Sequence, residues 1–346
     1  MSALPFPTCL PEFQRLFPDD SSCAVYLEKI RWPDGFTCPS CQTAAAPARI
    51  STRPQVLRCR KCRKETRLTA GTVMQDSHTA LLTWFWGAYL VASMTPGMSA
   101  TQFQRQLGIG RYETAFQILH KLRAGMVRPD ADKIGGMNPV ELDETWIGGR
   151  TRSEGRGIHH KVCVVGAVEV CKRKQGKPIP FPFGEQKKAI PRRGGRYAGR
   201  LRLSVVPDRT AKSLVGFARE SIAPGTNIIT DDWLGYDTLQ NYEFDHQSVV
   251  QRSDPSITEE SLPLVHLVFS NLKSWLLGVH HGVSPQHLQA YLNEFTFRFN
   301  RRFYPFNAFR SLLGIATGVG SPTYGELYSG GWKHHRFERE STTGRG

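Results

Sequence analysis

The apolar positions in the first quarter of the chain have the spacing of helices rather than strands. Over residues 23–31 they predict a short amphipathic helix, which ends at a turn formed by residues 33–35. Ser21 or Ser22 can cap this helix through a side-chain hydroxyl. The positions predicted to face its core are Val25, Leu27 and Ile30.

Three further helical segments follow between residues 78 and 122. Residues 78–94 are almost continuously apolar and predict a buried helix that is broken at Pro96. Ser99 is placed to cap the next helix, and a glycine-rich turn at residues 108–110 leads from it into the third. A helix, a tight turn and a helix predict a helix-turn-helix, although such a pair is also common as plain packing.

Beyond a linker at residues 131–141 the pattern changes to short β-branched runs. The predicted strands cover 140–147, 162–170, 201–206 and 227–230, and the predicted helices cover 211–222, 262–277 and 285–302. This order suits a mixed α/β domain of the RNase H type. Periodicity alone also permits other α/β folds.

The length and the apolar pattern limit the class of protein. A chain of 346 residues has room for two or three separate cores. Its longest apolar stretch, residues 81–94, is too short to span a membrane, and the first nine residues lack the pattern of a secretory signal. We therefore expect no membrane association and a cytoplasmic protein.

Positive charge is concentrated in one part of the chain. The formal net charge is +15, and residues 150–212 contain 17 Lys and Arg against four acidic residues. Such a surface attracts phosphate polyanions because binding releases their counterions. The same segment could also be a solvated basic loop, best placed at residues 172–200, but nucleic acid is the favoured partner.

Four of the eight cysteines form two CxxC pairs, Cys38 with Cys41 and Cys59 with Cys62. Two such knuckles at this separation predict a tetrahedral four-thiolate zinc ribbon. With four cysteine ligands no position is left for a water, so the zinc is expected to be structural. Cys163 lies in apolar strand-like sequence and is expected to be a buried thiol, as is Cys171.

Two aspartates are candidates for a catalytic metal site. Asp143 interrupts an apolar strand, and Asp231 directly follows another. Carboxylates at strand ends beside a cationic cleft are typical of divalent-metal phosphoryl chemistry. Each has a structural alternative, an ion pair for Asp143 and a turn for Asp231. The choice of ligands is also blurred by three nearby acids, Glu144, Asp232 and Asp237.

Several long motifs resemble one family. The N-terminal run YLEKIRWPDGFTCPSC (26–41) is similar to the zinc-ribbon head of the insertion-sequence transposases numbered fifteen ninety-five. Residues 140–149, 230–236 and 270–302 are similar to the catalytic domain of that family, and the resemblance extends over most of residues 11–310. It implies an RNase H-like fold with a DDE-type active site that acts on the ends of a mobile element.

The resemblance also implies roles for single residues. Asp143 matches the first aspartate of the family and Asp231 the second, while the third acid is expected near position 266, where this chain has His266. Lys273 stands where the family has a basic residue. Two other residues compete for the third ligand position, namely Asn271 and Glu294.

The implied chemistry is two-metal phosphoryl transfer with Mg²⁺ or Mn²⁺. Asp143, Asp231 and the residue at 266 or 271 are expected to hold the ions, and an imidazole at 266 suits Mn²⁺ better than Mg²⁺. The expected partner is double-stranded DNA, both element ends and target, bound by at least a homodimer. A nucleoid-associated prokaryotic transposase is the implied identity.

Two other functions remain open. His266 in place of the expected glutamate is compatible with an inactive DNA-binding regulator derived from a transposase. An RNA-processing nuclease with a zinc-ribbon module is the third possibility, and the transposase-like motifs in both halves argue against it.

The expected domains follow from these assignments. Residues 1–75 form a zinc-ribbon head, 76–130 a helix-turn-helix, and 131–310 the RNase H-like domain. Residues 311–346, rich in Gly, Ser and Thr, are expected to be a poorly ordered tail. The expected fold class is therefore multidomain α+β.

Overall fold

The chain forms two compact units that are not consecutive in sequence. The computed structural model describes residues 4–128, 131–148, 161–172, 195–249 and 262–329. The first unit consists of residues up to 129 together with those from 304 onward, and the second unit consists of residues 130–303. Among the described residues no helix combines the length and apolarity needed to cross a membrane.

The first unit opens with two short helices and a small sheet and continues with three helices. Its elements up to residue 124 are α1 (Leu10–Leu16), α2 (Asp20–Arg31), β1 (Ala48–Arg49), β2 (Val56–Arg58), β3 (Glu65–Arg67), α3 (Leu81–Ser93), α4 (Ala100–Leu107) and α5 (Tyr112–Ala124). The three strands pair antiparallel in the order β1-β2-β3. A zinc-ribbon hairpin between helical elements agrees with the predicted fold class.

Helix α2 begins earlier and faces differently than predicted. Its cap is Asp19, whose carboxylate accepts a hydrogen bond from the Ser22 amide at 2.8 Å. Val25 is 53% exposed, so its assignment to the core was wrong. The buried stripe runs through Cys23 and Leu27, which are one turn apart. Val25 is two positions from each of them and therefore lies on the opposite side of the helix.

Helices α3, α4 and α5 pack closely around one glycine. The Ser99 side chain caps α4 by accepting a hydrogen bond from the Gln102 amide, as expected from the sequence. Gly108 ends α4 in the left-handed conformation with a φ of 62°, which turns the chain toward α5. A Cβ at Gly87 on α3 would lie 3.0 Å from Leu122 and 3.1 Å from Phe103.

The second unit is a five-stranded sheet with helices on both faces. Its elements are β4 (Val140–Gly148), β5 (Lys161–Lys172), β6 (Arg196–Val206), α6 (Ala211–Ser221), β7 (Asn227–Asp231), a 3-10 helix (Leu234–Asn241), β8 (Asp245–Val249), α7 (Pro263–His280) and α8 (Leu288–Phe299). The strand order is β6-β5-β4-β7-β8.

The pairing of these strands is that of an RNase H-like fold. β4, β5 and β6 form an antiparallel meander, and β7 and β8 then add in parallel on the other side of β4. This confirms the predicted fold. Strand β8 was missed because its sequence, DHQSV, is polar and largely exposed, as befits an edge strand.

The sheet separates two apolar cores. On one face Val164 and Val168 pack with Leu272 of α7 and Leu292 of α8. On the other face Leu142 and Val165 pack with α6 and with the segment that follows β7. The central strand β4 is therefore covered on both sides, and its polar residues lie in a largely dry environment.

The chain returns to the first unit through α9 (Pro305–Gly318) and α10 (Tyr324–Ser329). Residues 311–318 are thus not part of a tail, because α9 packs against α2 and α3 with Phe309 and Leu312 buried. The Ala316 carbonyl accepts a hydrogen bond from the Val73 amide at 3.0 Å. Small residues around Gly314 and Gly318 obscured the apolar spacing of this helix.

Two segments named in the sequence analysis lie partly outside the described residues. Most of the basic insertion at residues 172–200 lies outside the described residues, which stop at 172 and resume at 195. Residues 196–200 form the beginning of β6, so this strand starts before the predicted position. The end of the chain, from residue 330, also lies outside the described residues.

Side chains of the last helix of the second unit cap the outer edge of β6. Asn300, at the end of α8, accepts a hydrogen bond from the Leu201 amide at 2.7 Å and donates one to the Leu201 carbonyl at 3.1 Å. Gln289 accepts one from the Val205 amide at 2.8 Å. The side-chain amides of Asn300 and Gln289 thus take the place of a neighbouring strand. They satisfy backbone groups at the edge of β6 that would otherwise be open to pairing with another chain.

We expect Asn300→Ala to lower the free energy of unfolding by about 1–3 kcal/mol, since it leaves both backbone groups of Leu201 without these partners. Urea denaturation measures the change. Asn271→Ala, on the exposed side of α7, is the matched control and should leave the stability unchanged. Equal stability of the two variants would contradict the role of Asn300 at the edge.

Candidate catalytic and zinc sites

Strand register brings the two candidate aspartates together. In the parallel pair β4–β7, Val140 lies opposite Ile228 and Glu141 opposite Ile229. Continuing this register by two residues places Asp143 beside Asp231, with both side chains on the same face of the sheet. This face is the one covered by α7, because Ile229 packs in the core cluster that includes Val265 and Val268 of α7.

Helix α7 brings a third side chain to this pair. The His266 Nε2 atom lies 3.2 Å from Asp143 Oδ2, with the imidazole 32% and the carboxylate 13% exposed. Asn271 lies five residues later, about 140° further around the helix, and is exposed. Of these two candidates for the third position, it is therefore His266 that contacts Asp143.

Lys273 projects from the same side of α7 as His266. Seven residues are close to two full turns, so the two side chains are stacked along one face of the helix. Partial burial lowers the pKa of Lys273, while the Asp143 carboxylate acts in the opposite direction. The ammonium group is therefore close enough to Asp143 to interact with it electrostatically.

The carboxylates are held under mutual repulsion. Burial raises the pKa of Asp231, and the negative charges of Asp143 and Asp232 raise it further. A hydrogen bond from the Trp233 amide to Asp231 Oδ1, at 3.2 Å, opposes this shift, as does His266. A cation between these oxygens would relieve the repulsion.

A second polar cluster lies on the opposite face of β4. Glu144 alternates with Asp143 and points toward α6, where its Oε2 atom accepts a hydrogen bond from the Tyr236 hydroxyl at 2.6 Å. Burial raises the pKa of Glu144, and this hydrogen bond acts against the shift. Glu144 is thus separated from the Asp143 site by the pleat, despite being adjacent in sequence.

An arginine links this cluster to the end of β7. The Arg209 guanidinium lies 3.6 Å from the centroid of the Trp233 ring and 3.9 Å from the Glu144 carboxylate. The indole of Trp233 donates a hydrogen bond to the Arg209 carbonyl at 3.0 Å. Gly235 is required beside them, because a Cβ there would lie 2.7 Å from the indole nitrogen.

The remaining acidic candidates lie elsewhere. Asp232 is exposed and accepts a hydrogen bond from Ser248 at 3.2 Å, and Asp237 is exposed on the 3-10 helix. Glu294 is fully buried on α8, where its carboxylate lies 3.5 Å from Arg298. Since α8 packs on β6, it lies at the opposite edge of the sheet from β7.

Sequence reasoning missed one acidic residue next to the site. Glu141 is completely buried two residues before Asp143, and burial raises the pKa of its carboxylate. Its Oε2 atom accepts hydrogen bonds from the Leu264 and Val265 amides at 2.7 and 2.8 Å. Acids at positions 141 and 143 share one face of a covered strand, and this spacing in the sequence was the signal that could have identified it.

The four predicted zinc ligands are assembled as the sequence indicates. The Sγ atoms of Cys38, Cys41, Cys59 and Cys62 all lie within 4.8 Å of one another. The Cys38–Cys62 and Cys41–Cys59 sulfur pairs are each 3.6 Å apart. Tetrahedral zinc with bonds of about 2.3 Å needs sulfurs about 3.8 Å apart, so this donor set fits a zinc ribbon.

The two knuckles have the same backbone geometry. Gln42 and Arg63, directly after the second cysteine of each pair, have φ values of 54° and 59°. Their amides donate to the carbonyls of Cys38 and Cys59 at 2.9 and 3.0 Å. Hydrogen bonds with Thr43 lower the pKa of the Cys41 thiol to about 6, whereas burial and the other three thiols raise that of Cys62 to about 11, so the four sulfurs titrate as one set.

Four of the basic residues of the ribbon form two contrasting pairs. Arg53 and Arg58 both pair with Glu65, at 2.8 and 2.6 Å. Lys61 and Lys64, on the second knuckle, are exposed and have no ion-pair partner among the residues that the structure describes. The second knuckle therefore presents uncompensated positive charge.

Two family models of the IS1595 group match the chain. The ISXO2-like transposase domain matches residues 134–300, and the transposase zinc-ribbon domain matches residues 18–65. Together these matches cover more than half of the chain. They fall on the five-stranded sheet and on the cysteine knuckles, respectively.

One curated protein is similar over most of its length. It comes from Halobacterium salinarum and is described as an uncharacterized protein in transposable element ISH50. It is 24% identical over 293 residues, which are 82% of this chain and 92% of that protein. No solved structure matches the chain.

We expect purified protein to contain one zinc ion per chain and Cys62→Ser to lose it, because the tetrahedral shell needs all four thiolates. Elemental analysis measures the zinc, and limited proteolysis should show new cleavage within residues 36–67. Cys9→Ser, at an exposed cysteine outside the cluster, is the control. Full zinc content in Cys62→Ser would rule out this ligand set.

Proposed function

Because the chain belongs to the IS1595 family of insertion-sequence transposases, we propose that it binds the ends of its element and catalyses divalent-metal-dependent DNA cleavage and strand transfer. The observation that carries this proposal is the convergence of Asp143, Asp231 and His266 from two strands and one helix. The side chains lie at the end of a sheet whose fold is that of a DDE-type enzyme.

The donor set suits a divalent cation. Two carboxylates on one face repel each other, and an imidazole nitrogen 3.2 Å from one of them can share a ligand with it. Asp143, Asp231 and His266 would hold the metal. An imidazole in the shell favours Mn²⁺ over Mg²⁺, since Mg²⁺ prefers oxygen ligands. Two bound ions would activate the attacking oxygen and stabilise the leaving oxygen.

The side chains of the protein would contribute to this chemistry by holding the metal ions and the DNA in fixed positions and by supplying charge. Asp143 and Asp231 are fixed by adjacent strands, so their spacing does not depend on a mobile loop. Lys273, on the same face of α7 as His266, would bind a phosphate oxygen of the DNA. Partial burial of the site excludes water and strengthens these electrostatic interactions.

Recognition of DNA is assigned to the first unit. The helix pair α4–α5 would present exposed residues at the start of α5, such as Arg111 and Tyr112, to the major groove. The second zinc knuckle would bind phosphates through Lys61 and Lys64. Since two element ends must be joined, the active form would be at least a homodimer on double-stranded DNA.

A specific observation favours a second candidate function. His266 replaces the carboxylate expected of a DDE enzyme, so the site has one negative charge fewer for its cations. The alternative is a catalytically inactive, sequence-specific DNA-binding regulator derived from a transposase. It would bind the element ends and cleave nothing with either metal.

The first test is cleavage of a labelled duplex that carries the element's end, in Mg²⁺ and separately in Mn²⁺. We expect nicking and joining by the wild type, with faster reaction in Mn²⁺. Asp143→Asn and Asp231→Asn should lower the rate by on the order of 10²-fold or more. Asp237→Asn, an exposed acid after the same strand, is the matched control. Tight binding without cleavage in either metal would instead establish the regulator.

A second test separates the two pairs of basic residues in the ribbon. Lys61→Ala/Lys64→Ala should weaken binding to all duplexes alike. It should also reduce the slope of log affinity against log salt by about 0.9 for each phosphate that the protein no longer neutralises. Arg53→Ala/Arg58→Ala removes the same charge from residues already paired with Glu65 and should change the slope less. Equal slopes for the two double variants would exclude the second knuckle as the phosphate-binding element.

A further inference from the structure

Glu141 has no place among the metal ligands proposed above, although it lies next to them. Its side chain is completely buried, and it shares the α7-facing side of β4 with Asp143. Two residues along a strand are only about 7 Å apart. The same short piece of β4 therefore carries a candidate ligand and a buried carboxylate, one oxygen of which is bonded to α7.

That carboxylate caps α7 from a distance of more than a hundred residues in sequence. Its Oε2 atom accepts hydrogen bonds from the amides of Leu264 and Val265, at 2.7 and 2.8 Å. Amides in the first turn of a helix have no partner within the helix.

Among the residues that the structure describes, α7 has no local substitute for this cap. The residue before its first turn is Leu262, which has no side-chain hydrogen bond to offer, and Pro263 follows it. Serine, threonine, aspartate or asparagine is the usual residue at that position. The first turn of α7 is thus tied to β4 by the Glu141 carboxylate.

The turn held in this way leads directly to His266. This residue follows Val265, and its amide is hydrogen-bonded to the Leu262 carbonyl at 3.3 Å. A rotation or sliding of the first turn would move the imidazole away from Asp143, from which it is now 3.2 Å. The contact between the two candidate ligands therefore depends on where Glu141 holds the helix.

We propose that Glu141 is a positioning residue of the metal site, whose carboxylate holds the first turn of α7 on β4 and keeps His266 in place to bind a divalent cation together with Asp143. This inference rests on the proposed function, because it assumes that His266 and Asp143 bind a metal. A buried glutamate that only stabilised the fold would not act through His266 in particular.

The experiment measures Mn²⁺ affinity directly, without DNA and without catalysis. Free Mn²⁺ is followed by electron paramagnetic resonance in titrations of the full-length, zinc-loaded protein, with Asp143→Asn defining binding elsewhere. Glu141→Gln keeps an acceptor oxygen and should bind within about twofold of wild type. Glu141→Met keeps the length but not the acceptor and should weaken binding about 10–100-fold, the range typical of residues that orient a ligand.

A double-mutant cycle with His266→Ala decides whether Glu141 acts through the histidine. In the His266→Ala background, Glu141→Met should change Mn²⁺ affinity by less than about twofold. If it weakens binding by the same factor with and without His266, or has no effect in either background, the inference is overturned.

Failure of the proposed function has a different signature. If the wild type shows no Mn²⁺ binding beyond that of Asp143→Asn, the metal site and this inference fall together. If the wild type binds Mn²⁺ and Glu141→Met binds it equally well, the metal site stands and Glu141 is excluded as its positioning residue. Should Glu141→Met not fold by circular dichroism, Glu141→Asp serves instead. It keeps the charge but shortens the reach, so it too should weaken binding only while His266 is present.

Discussion

The alternation of side chains along β4 determines the organisation of the second unit. This strand lies at the centre of the sheet and is covered on both faces, so each residue is assigned to one side by its position alone. Odd-numbered residues from Glu141 face α7, and even-numbered ones face α6. A shift of one residue in the register would put Glu144 on the face that Asp143 now occupies. Asp143 would then lie on the opposite face of the sheet from Asp231.

The same alternation explains how two adjacent acids can have different surroundings. Asp143 meets a histidine and a second aspartate, while Glu144 meets the hydroxyl of Tyr236 and the guanidinium of Arg209. One cluster concentrates negative charge and the other neutralises it. The backbone of the sheet keeps the two sets of side chains out of contact, although the charges of Asp143 and Asp231 still raise the pKa of Glu144 through it.

The sequence predicted much of this because several signals are local. CxxC spacing, β-branched runs and the position of aspartates at strand ends each reflect a single element. What could not be predicted depends on contacts between distant segments. The cap that Glu141 supplies to α7 spans 123 residues, and the edge protection of β6 by Asn300 spans 99. Val25 was misplaced because the apolar residues of α2 lie on more than one side of the helix, and contacts with distant segments bury the side that carries Cys23, Ala24, Tyr26 and Leu27. β8 was missed because an edge strand needs no apolar side chains.

The return of the chain to the first unit has a consequence for synthesis. Helix α9 supplies Phe309 and Leu312 to a core that also contains Phe13 and Phe85. During translation the five-stranded sheet is complete in sequence before these residues have been made. The N-terminal unit must therefore wait, with part of its apolar surface uncovered, until the last helices leave the ribosome. A gene copy that is truncated after residue 303 would encode the whole five-stranded sheet unit attached to a first unit that cannot close its core.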